Sequence, residues 1–225
     1  HKGIIANPNC STIIMVMALK PIYDLAKIKR VIVSTYQAVS GAGKEGIDEL
    51  DAQVREHSEG REMTANILPS SSAEKHYPIA FNLIPQIDVF CDNLYTKEEM
   101  KMVNETKKIM EDYEMRITAT TIRVPVYRSH SESVNIELEK EVDLGAMREA
   151  LAKFPGVTVQ DDPSKQEYPM PLYTSEKDDV YVGRLRRDES CEKSYNMWVV
   201  GDQIRKGAAL NTLQIAETMI KNGWI

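Results

Sequence analysis

The chain has 225 residues, enough to bury a sizeable hydrophobic core in one large domain or two small ones. Its 28 Lys and Arg residues against 34 Asp and Glu residues give a net charge of −6, which argues against nucleic acid as a partner because phosphate binding requires a basic face. No apolar run approaches the roughly 18 residues that span a bilayer, no secretory segment is visible, and the three cysteines form no paired framework. The composition therefore predicts a cytoplasmic protein with free thiols and no membrane partner.

The first predicted elements are a buried helix and a strand. Residues 13–25 are mostly apolar and follow the cap-forming run Asn-Pro-Asn-Cys-Ser-Thr, so a helix is expected to begin near Ser11 and to be kinked or divided at Pro21. Residues 30–39 are rich in β-branched side chains and predict a strand. The strand leads into the small-residue turn 40–43, where a backbone can approach a ligand closely.

A polar helix is predicted over residues 44–59, followed by an irregular segment over 61–95 with short strands near 79–83 and Val89. Thr96 and Glu99 form a capping-box pattern that predicts the start of another helix. Its periodicity predicts a core-facing side and a solvated side. The expected core side comprises Met100, Val103, Met110 and Tyr113. The expected solvated side comprises Glu98, Lys101, Glu105, Lys108 and Asp112.

The second half of the chain alternates predicted strands and helices. Strands are predicted at 116–126, 133–139, 180–187 and 196–200. Helices are predicted at 143–154 and 206–222. The segment 127–132 is expected to be a connection. This alternation predicts an α/β or α+β fold.

Cys10 and His130 are the first candidates for chemistry. A thiol at the start of a helix experiences the positive end of the helix dipole, which favours the thiolate, and the free N–H groups there can stabilise an oxyanion. The alternative is that Cys10 is a small buried residue at the start of a core helix. A neutral imidazole beside a thiol is its usual base, although a lone histidine such as His130 is more often a polar loop residue.

Arg123, Gln37 and the pair Glu98 and Lys101 are candidates for binding. A guanidinium inside a strand pattern needs a partner, which is either a substrate carboxylate or a structural Asp or Glu. Glu98 and Lys101 are i, i+3 neighbours for which a solvated charge stripe is the ordinary interpretation. Gln37 either orients a substrate or satisfies backbone groups at a strand end. The sequence contains no metal-ligand spacing and no G-x-x-x-x-G-K-[ST] phosphate loop.

Together, six segments in chain order resemble the active-site segments of the aspartate-semialdehyde dehydrogenase family. They are residues 7–12 (NPNCST), 34–43 (STYQAVSGAG), 76–82 (HYPIAFN), 98–101 (EEMK), 123–126 with 130–133 (RVPV and HSES), and 200–209 (VGDQIRKGAA). The resemblance implies the mixed, largely antiparallel sheet of a glyceraldehyde-3-phosphate-dehydrogenase-like catalytic domain. It also implies the NADPH-dependent reductive dephosphorylation of L-4-aspartyl phosphate to L-aspartate 4-semialdehyde, in the biosynthesis of lysine, threonine, methionine and isoleucine.

The resemblance also implies a role for each site residue. The catalytic residues are Cys10, which forms an acyl-thioester, and His130, an acid and base. The substrate-binding residues are Gln37 for positioning, Arg123 for the carboxylate, Glu98 near the amino group, and Lys101 and Asn9 for the phosphate. The residues lining the nicotinamide cofactor NADP are Ser40, Gly41 and Gln203.

Members of this family carry a nucleotide-binding region ahead of the Asn-Pro-Asn-Cys segment, whereas this sequence opens almost directly on it. The resemblance therefore implies that residues 1–203 are a catalytic and dimerisation domain of a homodimer. Residues 204–225 are then a helix that packs on the nucleotide-binding region, so we expect the chain alone to bind NADPH poorly. The alternatives are a sister reductase acting on N-acetylglutamyl phosphate, a thiol hydrolase, and a non-catalytic oligomerisation module.

Overall fold

A mixed six-stranded sheet organises residues 3–225, the part of the chain that the computed structural model describes. The strands are β1 Ile28–Gln37, β2 Arg116–Arg123, β3 His130–Leu138, β4 Val157–Val159, β5 Val180–Arg187 and β6 Ser194–Gly201. Their order across the sheet is β2-β1-β3-β6-β5-β4. The pairs β1–β2 and β4–β5 are parallel and the other three are antiparallel, as predicted for a mixed, largely antiparallel sheet.

Six α-helices accompany the sheet in the described part of the chain. They are α1 Cys10–Leu25, α2 Lys44–Ser58, α3 Lys97–Ile109, α4 Leu144–Lys153, α5 Pro171–Thr174 and α6 Leu210–Lys221. A short π-helical turn, Arg205–Ala209, leads directly into α6. Helix α1 lies between α3 and α4 and contacts four strands. None of the helices within residues 3–225 is long and apolar enough to cross a membrane.

Helix α1 is the centre of the hydrophobic core because it is apolar on nearly every side. Ile14, Met15 and Leu19 are fully buried against the β-branched residues of the sheet, such as Val33 and Val134. Pro21 lies inside the helix, which continues to Leu25, so the predicted division at this proline does not occur. The helix thus holds its first residue, Cys10, rigidly at the end of the sheet.

Helix α3 confirms the predicted capping box but buries a different face. Thr96 accepts a hydrogen bond from the Glu99 N–H, and the Glu99 carboxylate accepts one from the Thr96 N–H. The buried residues of α3 are Glu98, Glu99, Met102 and Thr106. Of the predicted core residues, Met110 is buried as predicted, Met100 and Val103 are half-buried, and Tyr113 lies beyond the end of the helix and is 69% exposed. Asp112, predicted to be solvated, is buried. The apolar periodicity was misleading because the sheet end that α3 covers presents polar partners to Glu98 and Glu99.

Strand boundaries near the site also differ from the predicted ones. β3 begins at His130, so this residue belongs to a strand and not to the predicted connection 127–132. β2 ends at Arg123, ahead of Pro125, which has no N–H to donate. The predicted strands near 79–83 and Val89 are reduced to isolated bridges at Ile84 and Phe90.

Candidate active site

The register of three strands brings the predicted site residues together at one end of the sheet. Gln37, the last residue of β1, pairs with Arg123, the last residue of β2. On the other side of β1, Tyr36 pairs with Ser131 in the antiparallel β3, which places His130 at the same end. The first residue of α1, Cys10, reaches this end above the sheet. Residues far apart in sequence therefore meet because three strands end or begin in one row.

Asn9 fixes the start of α1 and links it to α3. Its side-chain oxygen accepts from the Thr12 N–H at 3.1 Å, which is a standard N-cap, and its amide nitrogen donates to Glu98 Oε1 at 2.8 Å. The Asn9 N–H donates to the Glu105 carboxylate at 2.8 Å. Cys10 is consequently held next to a buried carboxylate, that of Glu98.

The Cys10 thiol is protonated in this arrangement. Burial raises its pKa to about 12, the negative charge of Glu98 adds to the increase, and the Ser11 N–H and the Arg123 cation oppose it. The expectation that the helix N-terminus makes Cys10 a thiolate is therefore wrong for the free chain. Loss of solvation and a neighbouring anion outweigh the helix dipole.

His130 is fully buried and neutral. Its Nδ1 accepts from the Ala38 N–H at 3.1 Å, so the neutral ring carries its proton on Nε2. Burial, and secondarily the Arg123 cation, lower its pKa well below the usual value. Nε2 itself is buried and has no hydrogen-bond partner. The ring thus presents one unused donor.

Arg123 is a buried cation without a carboxylate. Its side chain is 3% exposed, and its Nη1 donates to the Ala38 carbonyl at 2.7 Å. No carboxylate of the described residues forms an ion pair with it, and its Nε has no partner. Burial lowers its pKa, but a guanidinium remains charged at neutral pH. Since an unpaired buried charge is costly, this position is suited to an anionic ligand.

Glu98, Gln37 and Lys101 complete the wall beside Arg123. Glu98, predicted to be solvated, is 6% exposed and accepts from Gln37 Nε2 at 3.3 Å. Lys101 Nζ lies 3.5 Å from Glu98 Oε2 and 3.3 Å from Asp88 Oδ2. These two charges outweigh the effect of burial and raise the pKa of Lys101. Lys101 and Arg123 therefore place two cations along one cleft of about 300 Å³.

The residues predicted to line a nicotinamide form a second wall. Gln203 Nε2 donates to Ser40 Oγ, and its Oε1 accepts from the Ser129 N–H at 2.9 Å. A Cβ added to Gly41 would lie 2.7 Å from Arg123 Nη1 and 3.2 Å from His130 Cε1. Gly41 is therefore in close contact with both side chains, which occupy the space that a Cβ would need.

Comparison with known proteins agrees with this geometry. The family model described as "Semialdehyde dehydrogenase, dimerisation domain" matches residues 19–206. The chain belongs to the semialdehyde dehydrogenase family.

Relatives of the family match the chain along nearly its whole length. Aspartate-semialdehyde dehydrogenase of Aquifex aeolicus is 54% identical over 224 residues, covering 100% of this chain and 64% of the relative. The Bacillus subtilis protein of the same name is 52% identical, covering 98% of this chain and 64% of the relative. The crystal structure of aspartate semialdehyde dehydrogenase II from Vibrio cholerae, described as complexed with ASA, superposes with a TM-score of 0.91 at 46% identity, over 97% of this chain and 62% of that one. The chain thus spans less than two thirds of the length of these relatives.

Gly207 packs against the candidate nucleophile, although no sequence prediction singled it out. A Cβ added there would lie 3.1 Å from Cys10 Cβ and 3.3 Å from Gln203 Cβ. The π-helical turn that carries it thus packs directly on the candidate nucleophile. A glycine inside an otherwise helical pattern was the available signal, since such a residue is costly unless close packing requires it.

Proposed function

We propose that the chain is the catalytic and dimerisation part of an NADP-dependent aspartate-semialdehyde dehydrogenase, which reductively dephosphorylates L-4-aspartyl phosphate. The observation that carries this proposal is that Cys10, the unused Nε2 donor of His130 and the unpaired Arg123 cation meet at one end of the sheet. A nucleophile, a proton donor and an anion site are the groups that acyl transfer from an anionic substrate requires.

Two cations and one buried carboxylate match the charges of the substrate. Arg123 has a free edge for a bidentate bond to the substrate α-carboxylate, and Lys101 lies further along the cleft for the phosphate. Glu98 is placed to pair with the α-amino group. Asn9 and Gln37 hold Glu98 in position through their amide N–H groups.

Binding of the substrate itself helps to activate Cys10. The charge of Glu98 contributes to the high pKa of the thiol, so an ammonium group placed on Glu98 cancels that contribution and lowers the pKa. The sulfur then forms a bond to the acyl carbon, the bond from carbon to the phosphate oxygen breaks, and the departing phosphate takes up the thiol proton and leaves as hydrogen phosphate. The product is a thioester on Cys10.

His130 acts as the proton donor in this scheme. Because Nδ1 is occupied by the Ala38 N–H, the ring offers Nε2–H to the oxygen that becomes negative in the tetrahedral species. Its strongly lowered pKa keeps the resting ring neutral, so it adds no positive charge beside Arg123.

The wall formed by Ser40, Gly41 and Gln203 suits the nicotinamide end of the cofactor. Gly41 packs closely on Arg123 and His130, and Gly207 packs closely on Cys10 and Gln203, so the two glycines join this wall to the candidate catalytic residues. NADPH supplies, when bound, the hydride that converts the thioester into the aldehyde. The residues of this chain orient the ring and exclude bulkier groups from the face next to the sulfur. In line with the description of its family model, we propose that the protein acts as a homodimer.

The proposal is tested by assaying the full gene product with aspartate semialdehyde, phosphate and NADP⁺. Wild-type protein is expected to produce NADPH only when phosphate is present, and Cys10→Ser to lose at least about 10³-fold in kcat. Cys191→Ser, at an exposed cysteine, is the matched control and should retain full activity. Faster turnover of N-acetylglutamate semialdehyde would assign the protein to the sister reductase. Release of phosphate from L-4-aspartyl phosphate by water in the absence of NADPH would assign it to the thiol hydrolases.

A further inference from the structure

A buried carboxylate with no assigned role lies directly after β6. Asp202 is fully buried, and its Oδ1 accepts from the N–H groups of Ile204 and Arg205 at 2.9 and 3.0 Å. Its Oδ2 accepts from the Glu176 N–H at 2.7 Å and lies 2.6 Å from Arg128 Nε. All contacts of this carboxylate are therefore with donors, and its charge is paired.

These contacts extend the pairing of β3 with β6 beyond its last backbone pair. That pair is His130 with Gly201. The next residues are joined by side chains, since Gln203 Oε1 accepts from the Ser129 N–H and Asp202 pairs with Arg128. Ser129 has a φ of +73°, a left-handed conformation that costs energy for a residue other than glycine. The backbone immediately before His130 is thus strained, and contacts with Gln203 and Asp202 keep it in this conformation.

Asp202 also holds the turn that contacts Cys10. It caps the start of the π-helical turn through Ile204 and Arg205, and its own carbonyl accepts from the Gly207 N–H at 3.1 Å. Gly207 in turn packs against Cys10. One carboxylate therefore contacts the supports of both His130 and Cys10.

We propose that Asp202, with its partner Arg128, is a positioning residue that sets His130, Gln203 and Cys10 in their relative places for the reaction. This inference rests on the proposed function. Asp202 touches neither the cleft nor the proposed substrate groups and acts through Ser129, Gln203 and Gly207. A neutral side chain could also accept hydrogen bonds from the backbone N–H groups of the turn. The negative charge of Asp202 is therefore needed only for the ion pair with Arg128, which connects the end of β6 to the start of β3.

The test replaces Asp202 by asparagine in the full gene product. Asp202→Asn keeps one acceptor oxygen but loses the ion pair and places an amide against the Glu176 N–H. We expect kcat to fall about 10²-fold, which is the effect of displacing a catalytic group by about 1 Å. The KM for aspartate semialdehyde should change less than about 3-fold, because Arg123 and Lys101 are not disturbed. Asp178→Asn is the matched control. Asp178 pairs with Arg205 of the same turn, its side chain is 54% exposed, and its variant should keep the wild-type kcat.

A second variant and a second measurement separate this inference from the proposed function. Arg128→Gln removes the same ion pair but leaves Asp202 its three backbone N–H donors. This variant should show the same decrease in kcat, and the fraction of folded protein should equal that of the wild type. Both variants should loosen the π-helical turn and therefore raise the rate at which iodoacetamide alkylates Cys10 several-fold. Mass spectrometry of the Cys10 peptide measures this rate. Folded variants with wild-type kcat and wild-type alkylation would overturn the inference. An inactive wild type would overturn the proposed function, and the alkylation rates would still decide the role of Asp202.

Discussion

Gly41 lies where two candidate functional side chains meet, and its missing side chain sets their positions. A Cβ there would come within 2.7 Å of Arg123 Nη1 and within 3.3 Å of the His130 ring atoms. Gly41→Ala must therefore displace the guanidinium or the turn. We expect KM for aspartate semialdehyde to rise by about 10-fold or more and kcat to fall, because a substrate anchor and a proton donor both move.

Steady-state kinetics of the full gene product check this prediction. Gly145→Ala is the control, because its added Cβ would meet only the Asp143 side chain at the remote start of α4. That variant should show wild-type kinetics whatever its stability. Wild-type kinetics in Gly41→Ala as well would show that the contact is unimportant.

Glu132 is a second residue whose environment predicts a measurable effect. It is fully buried, both carboxyl oxygens lack partners, and burial raises its pKa well above the usual value. The folded state keeps the proton that the unfolded chain releases above pH 4.5, so stability falls as the pH rises from that value toward the folded-state pKa. Glu132→Gln should remove this loss, which is at most about 1.4 kcal/mol per pH unit.

Urea unfolding at several pH values between 5 and 9 measures the difference. The wild type and Glu132→Gln should diverge steadily in free energy of unfolding as the pH rises, with the variant more stable at the alkaline end. Glu149→Gln, at an exposed position on α4, should follow the wild type. Parallel curves for wild type and Glu132→Gln would contradict a protonated Glu132.

Among the elements, the N-terminus of α3 both stabilises the helix and positions Glu98 in the candidate site. Thr96 caps the helix, and Glu99 accepts from the Thr121 N–H of β2 at 3.0 Å as well as from the Thr96 N–H. This double attachment sets α3 against the sheet and places Glu98 beside Cys10. The element and the site thus depend on the same few hydrogen bonds.

Thr96→Ala should destabilise the protein by about 1 kcal/mol, the usual cost of a lost N-cap. Denaturant unfolding measures this, and Thr96→Ser, which keeps the hydroxyl, is the matched control and should stay near the wild type. Equal losses in both variants would assign the effect to the methyl group of Thr96 and not to the cap.

At the scale of the whole molecule, the apolar face of α6 is uncovered. Leu213 is 62% and Ile220 is 65% exposed, and Trp224 beyond the helix is 64% exposed. We propose that this face packs on a nucleotide-binding region of a longer polypeptide, since the relatives extend well beyond the matched length. The boundary between a catalytic domain, residues 1–203, and a C-terminal helix, residues 204–225, stays a prediction. In this structure Gly207, beyond that boundary, packs against Cys10.

The 225-residue chain by itself should bind NADPH at least about 10²-fold more weakly than the full gene product. The glycine-rich turn that opens α2, residues 41–46, has the Arg123 guanidinium and the His130 ring packed against Gly41, so it does not offer a pyrophosphate the open helix start on which dinucleotide binding normally depends. Isothermal titration of both proteins with NADPH measures the difference. Equal affinities would show that this chain carries the whole cofactor site.

The amino-acid pattern predicted most of the helices and strands, although not β4 and α5, together with the position of Cys10 at a helix start and the segments that mark the family. These features are local, because capping, β-branched runs and short motifs are properties of neighbouring residues. The burial of Glu98, the raised pKa of the Cys10 thiol and the packing of Gly207 against Cys10 are visible only in the folded chain. The pKa of a group and the burial of a charge depend on residues that pair across the sheet, and periodicity along one element carries no information about them.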